Sequence, residues 1–304
     1  MPAMHFNIGG RVATGFALVL LILVAQGVAT ITALRVAADH FLAFQRASAA
    51  TNVIHAMESN VVELQRSVLA YTFSGFEGVL SRIRRVQKGL QRQFEQLHAE
   101  LQDQRRQDLL KRMEDHFLSH TANFAAALEE HRLRDRLADQ EVDQSAREAS
   151  RELAQLLEQA MAAGQYRWSA HLGLAQEHLL TSHRDALAFQ GAPDALLVRD
   201  VERRMRLFNT AWQPVSGLIP DDVRERVEGV RIQATRFETG FHSLVRATRA
   251  YLHMVHVVMA GEEAEFARLT VELKEATLTE QAGLDARLHA TMATARRDAL
   301  LFTL

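Results

Sequence analysis

One apolar stretch near the start of the chain, Val12–Leu34, constrains the fold most, because it holds no charged residue, proline or cysteine. At 1.5 Å per helical residue its roughly 23 residues reach about 34 Å, enough to cross a hydrocarbon core of about 30 Å. No other apolar run in the sequence approaches this length. The stretch predicts a transmembrane helix, preceded by a short cytoplasmic segment, 1–11, and followed by one large extramembrane body.

A cleaved signal peptide is the alternative interpretation of this stretch. Such a peptide has an apolar region of about 7–15 residues after a basic leader and before a small-residue cleavage site. Here the apolar region is longer, the leader holds one fixed positive charge, Arg11, and Val24–Gly27 is only a weak cleavage site. We therefore favour an uncleaved anchor. Arg11 and Arg35 flank the span on opposite sides, so the distribution of positive charge hardly indicates the orientation of the helix. A long following domain translocates largely regardless of its charge, which favours a cytoplasmic N-terminus.

Composition restricts what the body can be. A net charge of −2 at pH 7 gives no bulk attraction to nucleic acid, so no nucleic-acid partner is expected. The absence of cysteine excludes disulfides, zinc–cysteine sites and thiol catalysis. Four prolines and fifteen glycines leave long stretches without a helix breaker. Since no segment alternates apolar and polar residues with a period of two, the predicted fold class is all-α.

Heptad-like spacing predicts the first helices. The seam that follows the span has these inward positions: Ala47, Ala50, Ile54, Met57, Val61, Leu64, Val68 and Tyr71. It ends at a turn marked by Gly75. A second helix over about 77–101 places Val79, Ile83, Val86, Leu90, Phe94 and Leu97 inward. A third begins after the polar stretch Gln102–Gln107, with Leu109, Leu110, Met113, Phe117, His120, Phe124 and Leu128 inward. The charged stretch His131–Asp143 is expected to be an exposed bend or a solvated helix.

Glycine and proline indicate the later boundaries. Helical periodicity resumes at Leu153 and continues through Gly164 to Phe189, which predicts one helix there. Gly191–Asp194 is a clear connection, after which a shorter helix is expected to end near Trp212.

The last part of the chain is expected to return towards the membrane. The connection 213–222 precedes a helix over about 221–258, which is expected to end at a turn at Ala260–Glu263. A final helix then leads to 299–304, ALLFTL, which looks like the start of a second, truncated membrane span.

Two phrases carry a resemblance to a known family. Phe6–Leu20 resembles the first membrane span of bacterial methyl-accepting chemotaxis receptors and related sensor histidine kinases. Arg66–Tyr71, followed by Ser74 and Gly75, is similar to the arginine–tyrosine–glycine turn of their helical sensor domains. The body, 35–298, is too long for one four-helix sensor and is closer to their double-length helical bimodular domain.

That resemblance implies two stacked antiparallel four-helix bundles in the periplasm, anchored in a bacterial inner membrane. It also implies a homodimer that binds a small organic acid or amino acid and transmits a helix displacement across the membrane. Because the sequence holds no linker, methylation helices or kinase core, the downstream signalling proteins would be reached through a C-terminal part beyond Leu304. A chemoreceptor and a histidine kinase therefore stay open as alternatives.

Inward arginines are the side chains that an anion would require, because guanidinium groups grip carboxylates in pairs and keep their charge when buried. The candidate ligand-binding residues are Arg46, Arg66, Arg184, Arg246 and Arg249, with Tyr71 and Tyr251 as hydroxyl donors. The alternative for each is a solvated surface position, which most arginines of a helical bundle occupy. Arg66, Arg184 and Arg249 each precede a glycine, a weak repeat that predicts three helical hairpins, and Arg268 is expected to approach Arg46.

Other functions are supported less. The histidine pairs at helical spacing are His116 with His120 and His253 with His256, and the Glu-x-x-His motif of di-iron bundles occurs at Glu95–His98. Neither a nucleophile elbow nor a phosphate-binding glycine loop is present, so we predict no cofactor, no metal and no enzyme activity. A membrane-anchored helical scaffold that binds a protein is the remaining alternative. Arginines turned outward around a sealed apolar core would favour it.

Overall fold

The computed structural model describes residues 8–217 and 221–301, and across these two ranges the chain forms helices and no strand. The helices are α1 (Ile8–Ser74), α2 (Glu77–Glu100), α3 (Gln104–Arg136), α4 (Gln144–Ala162), α5 (Tyr166–Gly191), α6 (Ala195–Gly217), α7 (Arg224–His253) and α8 (Ala260–Leu301). The π-helical segment Leu137–Asp143 joins α3 to α4, and Met254–Met259 joins α7 to α8. A 3₁₀ turn, Asp221–Val223, precedes α7. The predicted all-α fold class is confirmed.

Helix α1 contains the apolar stretch. It is 67 residues long, which corresponds to about 100 Å. Its most apolar window has a mean hydropathy of 2.4, and none of that window is buried within the protein. Within the described part of the chain, α1 is the one helix that is long and apolar enough to cross a membrane.

The chain divides into two compact units. Unit 1 comprises residues 1–119 and 262–304, and unit 2 comprises residues 120–261. Within the described residues, unit 1 contains α1, α2, the first half of α3 and nearly all of α8. Unit 2 contains the rest of α3 continued by α4, then α5, α6 and α7. In the described part of the chain, each unit therefore consists of four helical segments.

The core of unit 1 follows the predicted seams. All eight inward positions predicted for α1 are buried, and so are the four predicted for the part of α3 in unit 1; the other three of α3 are buried in unit 2. In α2 the buried residue at the start is Leu80, while Val79 and Val86 are half-buried. The ring of Phe94 contacts Phe117 of α3 and Phe266 of α8, with centroids 5.5 and 6.1 Å apart. Such aromatic pairs contribute about 0.5–1.5 kcal/mol beyond their buried area.

Helix α8 runs antiparallel to α1 within unit 1. The Nζ of Lys274 donates to Glu58 at 3.1 Å, and the Thr51 hydroxyl donates to Gln281 at 3.3 Å. As the residue number falls along α1 it rises along α8, so the N-terminal end of α1 and the C-terminal end of α8 point the same way.

The expected continuous helix through Gly164 is wrong. Helix α4 ends at Ala162, Gly164 has φ +69°, and α5 begins at Tyr166. Glycine adopts this left-handed conformation without steric penalty, and the Gln165 N–H closes the helix end by donating to Ala160 O at 2.9 Å. The same periodicity continues on both sides of the break, because both helices bury one face in the core of unit 2.

Two other expected ends are also wrong, since the helices there continue. Helix α6 extends past Trp212 and through Pro214 to Gly217. The expected turn at Ala260–Glu263 is helical, so the third copy of the weak repeat is not a hairpin. A glycine in a helix costs about 1 kcal/mol relative to alanine. At Gly261 the buried side chains of Met259 and Phe266 on either side offset that cost.

The charged stretch His131–Asp143 is helical and partly buried. Its π-helical part packs against α7 and buries Ala138 and Val142 in the core of unit 2. The connection at Gly191–Asp194 agrees with prediction, and the Asp194 carboxylate accepts the Leu196 N–H at 2.8 Å, as a helix N-cap does.

Candidate functional site

A small cavity lies in unit 1 where its four helical segments meet. Its volume is about 60 Å³. Its lining residues are Ala43, Arg46 and Ala47 from α1, Glu100, Leu101 and Gln102 from the end of α2 and its connection, Arg106 from α3, and Glu280 from α8. Every helix of the unit therefore contributes to one enclosure that contains two arginines and two glutamates.

The connection between α2 and α3 is held by side-chain hydrogen bonds. The Asp103 carboxylate accepts the N–H of Arg106 at 3.1 Å, which caps the first turn of α3. The Gln107 amide donates to the carbonyl oxygens of Leu101 and of His98. Because these bonds fix the first turn of α3, they also fix the direction in which the Arg106 side chain leaves the helix.

Arg106 is the buried charge of the cavity. Its side chain is 7% exposed and pairs with Glu280 of α8, while the Asp103 carboxylate lies 3.7 Å from its Nε. A buried guanidinium requires such partners, because the loss of water is otherwise not compensated. Because Glu280 belongs to α8, the compensation of the Arg106 charge depends on the position of α8.

Sequence reasoning missed Arg106 because it belongs to the polar stretch Gln102–Gln107, which was interpreted as a connection. The signal was nevertheless present. Asp103 is a good N-cap residue three positions earlier, and Arg106 precedes the buried Leu109, Leu110 and Met113 by three, four and seven residues. Helical spacing of three, four and seven places residues on one face, so Arg106 lies on the core face of α3.

Of the predicted arginines, Arg46 lines the cavity, from an exposed position on α1. The other four are also exposed. Arg66 belongs to unit 1, whereas Arg184, Arg246 and Arg249 belong to unit 2. Arg184 pairs with Asp185 at 2.9 Å, and Arg246 donates to the Ser243 hydroxyl at 3.0 Å.

The two predicted tyrosines are core residues. Tyr71 is buried in unit 1 and Tyr251 in unit 2. The His131 ring meets Tyr251 edge-on at 5.3 Å between centroids, and the Arg134 guanidinium lies 5.6 Å from the centre of the Tyr251 ring. Burial and the neighbouring Arg134 lower the pKa of His131, although Asp135 opposes this shift.

Arg268 does not fulfil the expectation that it approaches Arg46. It binds Glu265 and Glu272 of its own helix, with nitrogen–oxygen distances of 2.6 and 3.1 Å. The hydrogen bond with Glu265 is the main reason why the pKa of Arg268 is raised. Pairs of this kind are exposed helix-surface interactions and contribute little to stability.

Unit 2 carries an open groove between α4 and α7, with a volume of about 460 Å³. Its lining residues are Glu148, Arg151, Glu152, Glu225, Arg226, Gly229 and Gln233. Arg226 is already engaged by α4, since it donates to Glu152 at 3.1 Å, Gln155 at 2.9 Å and Gln159 at 3.2 Å. The groove is therefore a surface of mixed charge whose central arginine serves helix packing.

The histidines do not assemble a metal centre in the described residues, where no group of three or more His, Asp or Glu side chains has the arrangement to hold an ion. His116 pairs with Glu262 of α8 at 2.6 Å, and His120 is buried.

Comparison with known proteins adds no family. The chain matches no protein-family model and no curated protein. The class that the fold defines is an all-α protein of two helical units, with one helix among residues 8–217 and 221–301 suited to a membrane span.

Proposed function

We propose that this chain is the sensor region of a bacterial transmembrane receptor, which binds a small organic anion in unit 1 and transmits a helix displacement across the inner membrane. The body would lie in the periplasm and the N-terminal segment in the cytoplasm. Both a chemoreceptor and a histidine kinase are compatible with this sensor role.

The observation that carries the proposal is the path of α1 and α8. Helix α1 continues unbroken from the apolar stretch into the core of unit 1, and α8 runs antiparallel to it. A rigid helix moves as one body along its axis, so a change in packing between α1 and α8 would be felt at the membrane.

The cavity around Arg106 supports an anionic ligand. Arginine keeps its charge when buried and presents a fork that matches a carboxylate. Arg106 is such an arginine, and Arg46 lines the same cavity together with Glu100 and Glu280, so a ligand carboxylate that replaces one glutamate leaves the charges balanced. A ligand that binds one arrangement of α1 and α8 better than another would shift the population towards that arrangement.

A homodimer is part of this proposal, supported by an apolar surface on the two helices. Val62 and Leu69 of α1 are 42% and 48% exposed, and Val271 and Leu278 of α8 are 50% and 43% exposed. Each pair is seven residues apart and therefore lies on one helix face. Glu58 lies one turn from Val62 on α1, and Lys274 lies one turn from Val271 on α8. Because Glu58 contacts Lys274, the two apolar pairs lie next to each other. We call these four residues the α1–α8 stripe.

The test of the proposed function uses the full chain in lipid nanodiscs. Thermal unfolding is followed against a panel of small organic acids and amino acids, with sodium chloride at equal ionic strength as the control. At least one carboxylate is expected to raise the melting temperature in a saturable manner. The proposal fails if neither the acids nor the amino acids change it.

Topology is tested separately. Because the chain has no cysteine, one cysteine introduced at the exposed Arg184 is the single thiol of the molecule. A membrane-impermeant maleimide is expected to label it in cells with an intact inner membrane. Labelling only after the inner membrane is opened would place the body in the cytoplasm and contradict the periplasmic sensor.

The second candidate is a membrane-anchored scaffold that binds a protein. The exposure of all five predicted arginines favours it, because they are then available to an acidic partner surface. The Arg184→Glu, Arg246→Glu and Arg249→Glu variants would weaken such a complex. They would leave small-anion binding in unit 1 unchanged.

A further inference from the structure

We propose that Glu280 acts as an internal competitor at the anion site, so that a short-chain monocarboxylate binds Arg106 in its place and releases α8. This inference rests on the proposed sensor function and names the ligand class and the coupling residue of the same site. Arg106 is the binding residue, and Glu280 links the occupied state of the site to the position of α8.

The first argument is the chemistry of the pair. Arg106 is buried and its principal partner is the Glu280 carboxylate, which comes from a distant part of the chain. The carboxylate of a free ligand is the same functional group, so it can satisfy the guanidinium as Glu280 does. Glu280 contacts the Nη1 of Arg106, and a ligand carboxylate that takes this donor competes with Glu280 for it.

The second argument is size. A water-sized group requires about 10–15 Å³ of such space, so a cavity of about 60 Å³ accommodates about four to six groups of that size. Acetate has four non-hydrogen atoms. The apolar Ala43, Ala47 and Leu101 in the lining suit its methyl end, whereas Arg46 and Arg106 suit its carboxylate. The cavity thus favours acetate-sized monocarboxylates over larger acids.

The third argument is the position of Glu280 along α8. It adjoins Gln281, which contacts Thr51 of α1 at 3.3 Å. Asp103 and the connection between α2 and α3 hold Arg106 in place, so exchange of its partner moves the glutamate rather than the arginine. Loss of the Arg106–Glu280 contact therefore changes the packing of α8 against α1, and the proposed function assigns signal transmission to these two helices.

The binding test uses acetate with the full chain in nanodiscs, measured by calorimetry. Glu280→Gln removes the competitor and is expected to tighten acetate binding about tenfold or more, the factor that one charge-assisted hydrogen bond carries. Arg106→Gln is expected to weaken it by a similar factor. The matched control is Arg112→Gln, which removes an exposed α3 partner of Glu265 at 3.4 Å, outside the cavity, and should leave acetate affinity unchanged.

The coupling test uses the absence of native cysteine. A Thr51→Cys/Gln281→Cys variant reports the α1–α8 contact, and acetate is expected to slow its cross-linking by a short bismaleimide. An Asn60→Cys/Gln93→Cys variant is the control, because it replaces an α1–α2 contact of 3.0 Å that does not involve α8. Acetate should leave that rate unchanged.

The outcomes separate the two proposals. Equal acetate affinity in the wild type, Glu280→Gln and Arg106→Gln overturns this inference, and it does so even if another acid binds and the sensor function stands. If Arg106→Gln does not fold, the Glu280→Gln result decides, because it is expected in the opposite direction. Acetate binding without any change in the Thr51–Gln281 reporter overturns the coupling role of Glu280.

Discussion

Gly240 of α7 lies against the backbone of Glu141 in the π-helical segment of unit 2. A Cβ atom at position 240 would stand 2.6 Å from the Glu141 Cβ and 3.1 Å from its carbonyl carbon. Beside this contact the Arg236 guanidinium binds both oxygens of the Glu141 carboxylate, at 2.7 and 3.0 Å. The missing side chain of residue 240 therefore permits α7 and the π-helical segment to approach closely enough for this pair to form.

Gly240→Ala is expected to destabilise unit 2. The new methyl group meets backbone, which cannot move aside as a flexible side chain does, and overpacking of this kind costs about 1–3 kcal/mol. Gly229→Ala is the matched control on the same helix, since no atom lies within 4 Å of its Cβ position. There alanine should stabilise by up to about 1 kcal/mol. Chemical denaturation measures the free energy of unfolding of both variants. A change of the same sign in both would contradict the close contact at Gly240.

His131 is expected to titrate below the ordinary pKa of histidine. Its Nδ1 faces Asp135 at 3.1 Å, and Arg134 approaches its Nε2 at 3.3 Å, which favours the neutral ring. Burial is the largest cause of the lowered pKa and the charge of Arg134 is the next. Because the folded pKa is depressed, the contribution of this residue to stability is complete above the unfolded pKa of about 6.5 and is lost as the pH falls. Arg134→Gln should raise the pKa of His131 in an NMR titration, while Arg132→Gln should not.

His98 is expected to titrate in the opposite direction. Its Nδ1 lies 3.0 Å from the Gln107 Oε1 and its Nε2 lies 3.0 Å from the Glu114 carboxylate, so only the protonated ring donates to both. Burial opposes protonation, but the hydrogen bonds with Glu114 and Gln107 outweigh it and raise the pKa. The contribution to stability is therefore present below about pH 6.5 and is lost as the pH rises through the folded pKa. The same NMR titration of Glu114→Gln should return the pKa of His98 towards its ordinary value, and an unchanged pKa would show that the pair is not responsible.

The parts of the fold that the sequence predicted are those in which one apolar stripe meets one core. In α1 every predicted inward residue is buried, because a heptad seam has a single way to face three neighbouring helices. Glycine was a poorer guide. Gly164 breaks a helix with φ +69°, whereas Gly261 continues one. Whether the helix ends at a glycine or continues through it depends on the packing of the residues on both sides. The periodicity of the sequence does not contain that information.

The candidate site was less predictable than the core, for an electrostatic reason. An arginine can be buried only where a carboxylate from elsewhere in the chain compensates its charge. The partner of Arg106 is Glu280, 174 positions later, and sequence spacing carries no information about that contact. Arg46 was predicted as a ligand-binding residue and does line the cavity, but from an exposed position.

Leu69→Glu and Val271→Glu, each in the α1–α8 stripe, are expected to weaken the proposed homodimer. A buried apolar side chain contributes about 1.5–3 kcal/mol, so each variant should raise the dimer dissociation constant by about 10- to 100-fold. Sedimentation or native mass spectrometry of the full chain in detergent measures this constant.

Leu180→Glu on α5 is the control for this prediction, because Leu180 is 47% exposed, as Leu69 is at 48%, and belongs to unit 2. It should leave the dissociation constant unchanged, since the stripe lies on α1 and α8 alone. If Leu180→Glu dissociates the dimer and Leu69→Glu does not, the contact between copies is on unit 2. A displacement of α8 against α1 would then not be transmitted through the dimer contact, and each copy would carry its signal on its own pair of helices.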